Sequence, residues 1–198
     1  YLRIREILSA GGRFNVADFQ RMQYDEVSRP ARELMALLRT VRIDDPELRP
    51  WVERLTAWNG TIGRDSAAAA LYEIWRDQLS TAIFKPHVPE KWLPMVDKGA
   101  ERVLELLRDP TPRWFGDDPR AGRDAVLRTS LEQAVAAARE KLGPDPTRWR
   151  WGTLHKATFR HVLATDPDRQ ALFGLPPVER GGDGTTLNVG VGPGFEVA

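Results

Sequence analysis

Three histidines, His87, His155 and His161, are the first candidates for acid–base or metal chemistry in this chain of 198 residues without cysteine. His155 and His161 are six residues apart, which on a helix separates them by about 240°, so they do not converge on one metal as an i, i+4 pair would. A packing or surface role is the simpler reading of both, and His87, among prolines, reads as an exposed loop residue. The acidic pairs Asp44-Asp45 and Asp117-Asp118 lack the alternating oxygen ligands and terminal Glu of a calcium loop, and read as helix caps and solvated turns. Gly181-Gly182-Asp183-Gly184 lacks the Lys-Ser/Thr of a phosphate-binding loop and precedes a strand-like segment, so it reads as a turn. Arg148-Trp149-Arg150-Trp151 alternates basic and aromatic groups as single-strand nucleic-acid platforms do. Its better reading is tryptophan packing with arginines over the ring faces. There is no Gly-x-Ser-x-Gly elbow, and the lack of cysteine excludes disulfides, thiolate zinc sites and a cysteine nucleophile. Side-chain chemistry alone reveals no active site.

The elements that would position these groups are mostly helices with proline-rich joints. Asn15 and Asp18 form a capping-box pattern before the stripe Val16, Phe19 and Met22, predicting a helix over about 16–27. Ser28 caps the next helix, with Pro30 in its first turn and Leu34, Leu37, Leu38 and Val41 at helical spacing. A third helix follows Pro46, with Leu48, Trp51, Val52, Leu55 and Trp58 on one face and Asn59-Gly60 at its end. Ser66 to Phe84 carries the strongest helical pattern, through Leu71, Ile74, Trp75, Leu79 and Ala82. Lys85 to Pro94, with three prolines, is expected to be irregular. Helices return over Ala100 to Leu107 and near Arg120 to Leu142, the second lined by Leu127, Leu131, Ala134, Val135 and Ala138 and ended by Gly143-Pro144. Beyond Asp145 the pattern predicts a short helical piece around Leu154 to Leu163 and a strand over Thr185 to Val191. No partner strand of comparable quality appears in the first 150 residues, so the expectation is that the partner lies outside the chain.

A chain of this length buries roughly 70% of its unfolded surface as one domain, and the length also leaves room for two small domains. With 29 basic against 28 acidic side chains, it lacks the net basic surface of an electrostatic nucleic-acid binder. No stretch approaches the ~18 consecutive apolar residues of a membrane-spanning helix. The start Tyr1-Leu2-Arg3, without Met or an apolar signal region, reads as that of a processed chain or an excised piece.

Several segments, in order, resemble the β chain of the penicillin amidase (penicillin acylase) family of N-terminal nucleophile hydrolases. They are Arg3-Ile4-Arg5-Glu6-Ile7-Leu8, Phe14-Asn15-Val16-Ala17-Asp18-Phe19, Met22-Gln23-Tyr24-Asp25-Glu26-Val27-Ser28 and the helix from Ala31 to Leu38. Trp51 through Trp58-Asn59-Gly60 is similar to the family segment in which a Trp-Asp/Asn-Gly turn closes a helix. Trp149-Arg150-Trp151-Gly152, followed by His155, Phe159 and His161, is the sharpest match, and Gly181-Gly182-Asp183-Gly184-Thr185 falls where the family returns to its sheet. The resemblance covers essentially the whole chain.

It implies a fragment that is mainly α with a C-terminal strand, from a parent of the four-layer αββα type. Residues 1–145 would form a helical layer, and 146–198 a helix and strand returning to the parent sheet. The parent would cut itself to expose an N-terminal Ser whose own amine is its base, a role Tyr1 cannot play. The oxyanion-hole residues and structural calcium ligands would lie upstream, leaving no catalytic, cofactor or metal residue here. The implied partners are the rest of the β chain, the α chain and a small N-acyl substrate, either a β-lactam side-chain amide or an acyl-homoserine lactone, in a periplasmic or secreted enzyme. The isolated chain would be inactive. The competing class is a non-catalytic helical interaction module, using the exposed members of the seven tryptophans as a partner surface.

Overall fold

The computed structural model describes residues 2–158, 162–163 and 166–188. The chain opens with α1 (Leu2–Ser9) and α2 (Val16–Gln23). In α2 the expected capping box is present: the Asn15 side chain accepts from the Asp18 amide at 3.1 Å, and the Asn15 amide donates to the Asp18 carboxylate at 2.7 Å. The helix stops before the predicted 27 because the Asp25 carboxylate takes the Val27 amide and Val27 leaves to form an antiparallel bridge with Thr61.

Then come α3 (Arg29–Leu38), α4 (Arg49–Ala57), α5 (Ala67–Phe84), α6 (Ala100–Arg108), the short α7 (Pro112–Phe115) and α8 (Pro119–Leu142). Pro30 occupies the first turn of α3, and Gly60 and Gly143 take positive φ beyond α4 and α8, as the punctuation predicts. The proline-rich joint contains a single 3-10 turn, Glu90–Met95. The last part holds α9 (Trp151–Leu154), β1 (Lys156–Ala157), α10 (Pro167–Phe173) and β2 (Val178–Glu179). The described chain is therefore mainly helical with one two-stranded antiparallel sheet.

Two expectations in this last part are corrected. His155 is extended, with φ −114° and ψ 107°, because β1 pairs with β2 in the register Lys156↔Glu179 and Ala157↔Val178. Pairing with residues distant in sequence overrides the local helical periodicity at 155–157. Residues 185–188 are turn and bend instead of strand, since Asp183 captures the Thr185 amide at 2.8 Å and Thr186 Oγ1 captures the Asp183 amide at 2.9 Å. The rest of the expected strand, 189–191, lies outside the described residues, as do Phe159 and His161.

The chain divides into two compact units, one of 1–28, 61–66 and 149–198, the other of 29–60 and 67–148. The second unit is a helical core dominated by α5 against α8. The expected faces are buried there: Leu71, Trp75 and Leu79 from α5, Leu127, Leu131 and Ala134 from α8, and Leu104 and Leu107 from α6. The indole of Trp75 donates to Ser130 Oγ at 2.9 Å, so its one polar atom is satisfied inside the core. The first unit is held by backbone bonds to its middle segment: Ile62 N donates to Glu26 O at 2.8 Å, Gly182 N to Ile62 O at 2.7 Å, and Gly152 N to Arg64 O at 2.7 Å.

Candidate functional site

The densest polar arrangement lies in the first unit, around Glu26 and the turn 181–188. Asn188 Nδ2 donates to Glu26 Oε1 at 3.0 Å, and Arg180 Nη2 donates to Asn188 Oδ1 at 3.1 Å. The Asn188 amide also donates to Asp25 O at 3.0 Å. Burial pushes the Glu26 carboxyl above the usual carboxylate range, against the opposing pull of the Asn188 amide and of Arg180 and Arg64. Close approach explains the two glycines beneath it. A Cβ on Gly181 would lie 2.1 Å from Glu26 Oε1, and one on Gly182, at φ +73°, would lie 1.8 Å from Asn188 O.

Beside this clamp, Asp183 is 3% exposed and accepts from both the amide and the hydroxyl of Thr185, the latter at 2.7 Å. Thr185 Oγ1 lies 2.7 Å from Ser28 Oγ, so with its proton committed to Asp183 it accepts from Ser28. A hydroxyl, hydroxyl and carboxylate in series could in principle activate a nucleophile. Ser28, however, is 0% exposed, which seals it from any substrate and makes the series a structural tie.

Of the histidines, His155 stacks on Trp151, with ring centroids 4.8 Å apart and planes at 17°. Its Nδ1 faces the Arg180 carbonyl at 3.3 Å and donates to it. Its Nε2 is shielded from solvent and has no hydrogen-bond partner among the described residues. An imidazole held in this way packs; it does not present a basic nitrogen to a substrate. His87 Nε2 lies 3.2 Å from the Trp114 carbonyl, with its ring edge-on to Trp114.

The acidic pairs serve local structure. Asp118 caps α8 through the Ala121 amide at 3.1 Å, Asp45 takes the Glu47 amide at 2.8 Å, and Asp44 pairs with Arg42. In the Arg-Trp-Arg-Trp segment no arginine among the described residues covers the Trp151 ring, on which His155 stacks. Arg150 instead bridges Asp65 and Glu179, at 2.8 and 2.7 Å, and Arg64 with Arg150 holds the Asp65 carboxyl below its usual range. Arginines do cover Trp51 and Trp114, from Arg139 and Arg113. Among the described residues, no three His, Asp or Glu side chains gather as a metal site.

Sequence reasoning missed the Glu26–Asn188–Arg180 clamp and the Asp65–Arg150–Glu179 bridge. Glu26 and Asn188 are separated by 162 residues, and no spacing rule connects them. The only signal was indirect, namely that Glu26 and the Gly181-Gly182-Asp183-Gly184-Thr185 turn both fall within the segments that carry the family resemblance.

Comparison with known proteins supports that resemblance. The sequence model of the penicillin amidase family matches residues 1–197. The acyl-homoserine lactone acylase QuiP of Pseudomonas syringae pv. syringae (strain B728a) is 29% identical over 98% of this chain and 26% of its own length. Its namesake in Pseudomonas aeruginosa (strain PAO1) is 28% identical over 94% and 26%. That of Pseudomonas fluorescens (strain Pf-5) is 30% identical over 68% and 17%. The chain thus spans about a quarter of the length of the curated relatives it matches. With essentially every residue covered by the family match, the chain belongs to the penicillin amidase family.

Proposed function

We propose that this chain is part of an amidohydrolase that deacylates small N-acyl compounds, with acyl-homoserine lactones as the leading substrate class. The observation that carries this reading is the family match over residues 1–197 together with relatives named acyl-homoserine lactone acylases. On this reading a Ser at a self-cleaved N-terminus, outside residues 1–198, attacks the amide carbonyl. Its own amine takes the hydroxyl proton and passes it to the leaving amine, and water then hydrolyses the acyl-enzyme to the free acid. The described residues supply scaffold. The Glu26 clamp and the Ser28–Thr185–Asp183 tie join two separated segments of one unit, 1–28 and 149–198, and fixed supports of this kind are what a positioned active site requires. Its partners are then the rest of the β chain and the α chain of one precursor within a four-layer αββα parent, periplasmic or secreted.

The interaction-module alternative needed exposed tryptophans. Trp51, Trp75 and Trp149 are buried, Trp58, Trp114 and Trp151 are partly covered, and only Trp92 is exposed.

The test is to express the full-length polypeptide, isolate the self-cleaved form and follow release of free homoserine lactone and fatty acid from acyl-homoserine lactones of several chain lengths, with phenylacetyl and glutaryl amides alongside. Amine release that tracks the protein is expected. A fully processed, folded protein that releases neither product from any of these amides would refute the reading.

A further inference from the structure

We propose that the proline-rich joint after α5 binds a medium-chain fatty carboxylate, the acid that the proposed acylase reaction releases; the source of that acid rests on the acylase reading, whereas the groove rests on its own geometry. Pro86, Pro89 and Pro94 lack amide donors and keep α5 from running on. The chain makes two tight turns instead, with Val88 N donating to Phe84 O at 3.0 Å and Trp92 N to Pro89 O at 2.8 Å. Pro86, Val88, Pro89 and Leu93 from these turns line a groove of about 420 Å³, together with Lys85, His87 and Glu90.

The walls are fixed in place. His87 lies edge-on to Trp114 of α7, with ring centroids 5.1 Å apart, and its Nε2 is 3.2 Å from the Trp114 carbonyl. Phe84, at the end of α5, packs edge-on against the same indole at 5.4 Å. With the proline φ angles locked as well, little chain entropy is lost when a ligand enters.

Size and charge select the ligand. A volume of about 420 Å³ lies toward the small end of the range for small-molecule sites, roughly 300–1,000 Å³, and the apolar walls suit an alkyl chain. Three of the chain's five lysines, Lys85, Lys91 and Lys98, fall in this one stretch. All three are exposed and none has a carboxylate partner among the described residues, unlike Arg3, Arg64 and Arg150, which are ion-paired. Of the two acids in the same stretch, Asp97 is spent on the Gly99 amide at 2.9 Å, which leaves Glu90 against three ammonium groups. An alkyl chain ending in a carboxylate fills the apolar walls and supplies Lys85 with a counter-charge. An alkyl ammonium would gain Glu90 alone and face three like charges.

The test is photolabelling of the full-length polypeptide with saturated acids that carry a diazirine at the chain end, mapped to residue by mass spectrometry so that label in 85–96 is scored apart from label elsewhere. Saturable labelling of 85–96 is expected, with half-saturation falling by about two- to fourfold for each methylene added between about six and twelve carbons. Lys85→Met and Glu90→Gln change exposed side chains. The first should weaken binding of the acid by about three- to fivefold, the range of an exposed ion pair, and leave the alcohol of the same length unchanged. The second should tighten binding of the acid. No saturable label in 85–96 would overturn the proposal, as would indifference to chain length on the unsubstituted protein, or an equal response of acid and alcohol to Lys85→Met. Labelling seen only on vesicles of anionic lipid would also overturn it, by assigning the joint to a membrane surface. Release of homoserine lactone is scored separately. Labelling without hydrolysis sinks the acylase reading and leaves the groove standing, while hydrolysis without labelling does the reverse.

Discussion

A carboxylate that accepts from an amide and faces two guanidinium groups would ordinarily titrate low, yet at Glu26 burial prevails and the carboxyl is held high. Because the folded protein binds this proton more tightly than the unfolded chain does, Glu26 lowers stability as pH rises from the unfolded carboxylate value through the folded one. Glu26→Gln keeps the shape and removes the charge. Its melting temperature relative to the wild type should therefore shift in favour of the variant between about pH 4 and about pH 7. A difference that stays constant, or moves the other way, would show that the Arg180 and Arg64 charges outweigh burial. His155 presents the complementary case, a group that looks catalytic and is built to pack. On the proposed function, His155→Gln in the full-length polypeptide loses the Trp151 stack, worth on the order of 1 kcal/mol, and should lower the melting temperature or the yield of self-cleaved protein. Turnover per titrated active site should stay within about tenfold of wild type, against the ~100-fold or more expected on losing a general base. A normally stable, fully matured variant with that larger loss would make His155 catalytic.

Among the elements, α5 and α8 show how a single polar contact becomes costly when one partner is removed. Ser130→Ala leaves the buried Trp75 indole N–H without its acceptor and should cost about 1–3 kcal/mol in urea unfolding, while Trp75→Phe with Ser130→Ala should cost less than the two single changes added together. Equality with the sum would mean that the bond contributes nothing of its own. The turn 181–188 gives a second prediction, since Gly182→Ala forces a Cβ onto the Asn188 carbonyl at positive φ. A loss of about 2 kcal/mol or more is expected in the same unfolding measurement, and an unchanged midpoint would show that the turn is not held as described. These two elements also mark what the sequence could reveal. The faces of α5 and α8 were readable because helical periodicity is local, and so were the capping box of α2 and the proline in the first turn of α3. The turn at 183–188 was misread as a strand because Thr185 to Val191 alternates in a strand-like way, whereas the side chains of Asp183 and Thr186 redirect the backbone hydrogen bonds. The β1–β2 pair was equally hidden, as its register is fixed by residues more than twenty positions apart, and so was the Glu26–Asn188 contact.

At the scale of the molecule, the proposed function separates chemistry from scaffold. The described nucleophile candidate, Ser28, is sealed with Thr185 against Asp183, and the most tempting base, His155, has its second nitrogen shielded. The proposed mechanism asks for neither, because an N-terminal nucleophile carries its base on its own backbone. A chain of 198 residues that provides helical core and turn clamps should then be catalytically silent by itself and active only as part of the longer polypeptide. Purified residues 1–198, shown by circular dichroism to be mainly helical, should release no amine from acyl-homoserine lactones or from phenylacetyl, glutaryl or long-chain acyl amides, under conditions where the full-length protein does. Turnover that stays with the 198-residue chain through successive purification steps, and is abolished by Ser28→Ala, would place the nucleophile inside the scaffold and overturn the separation.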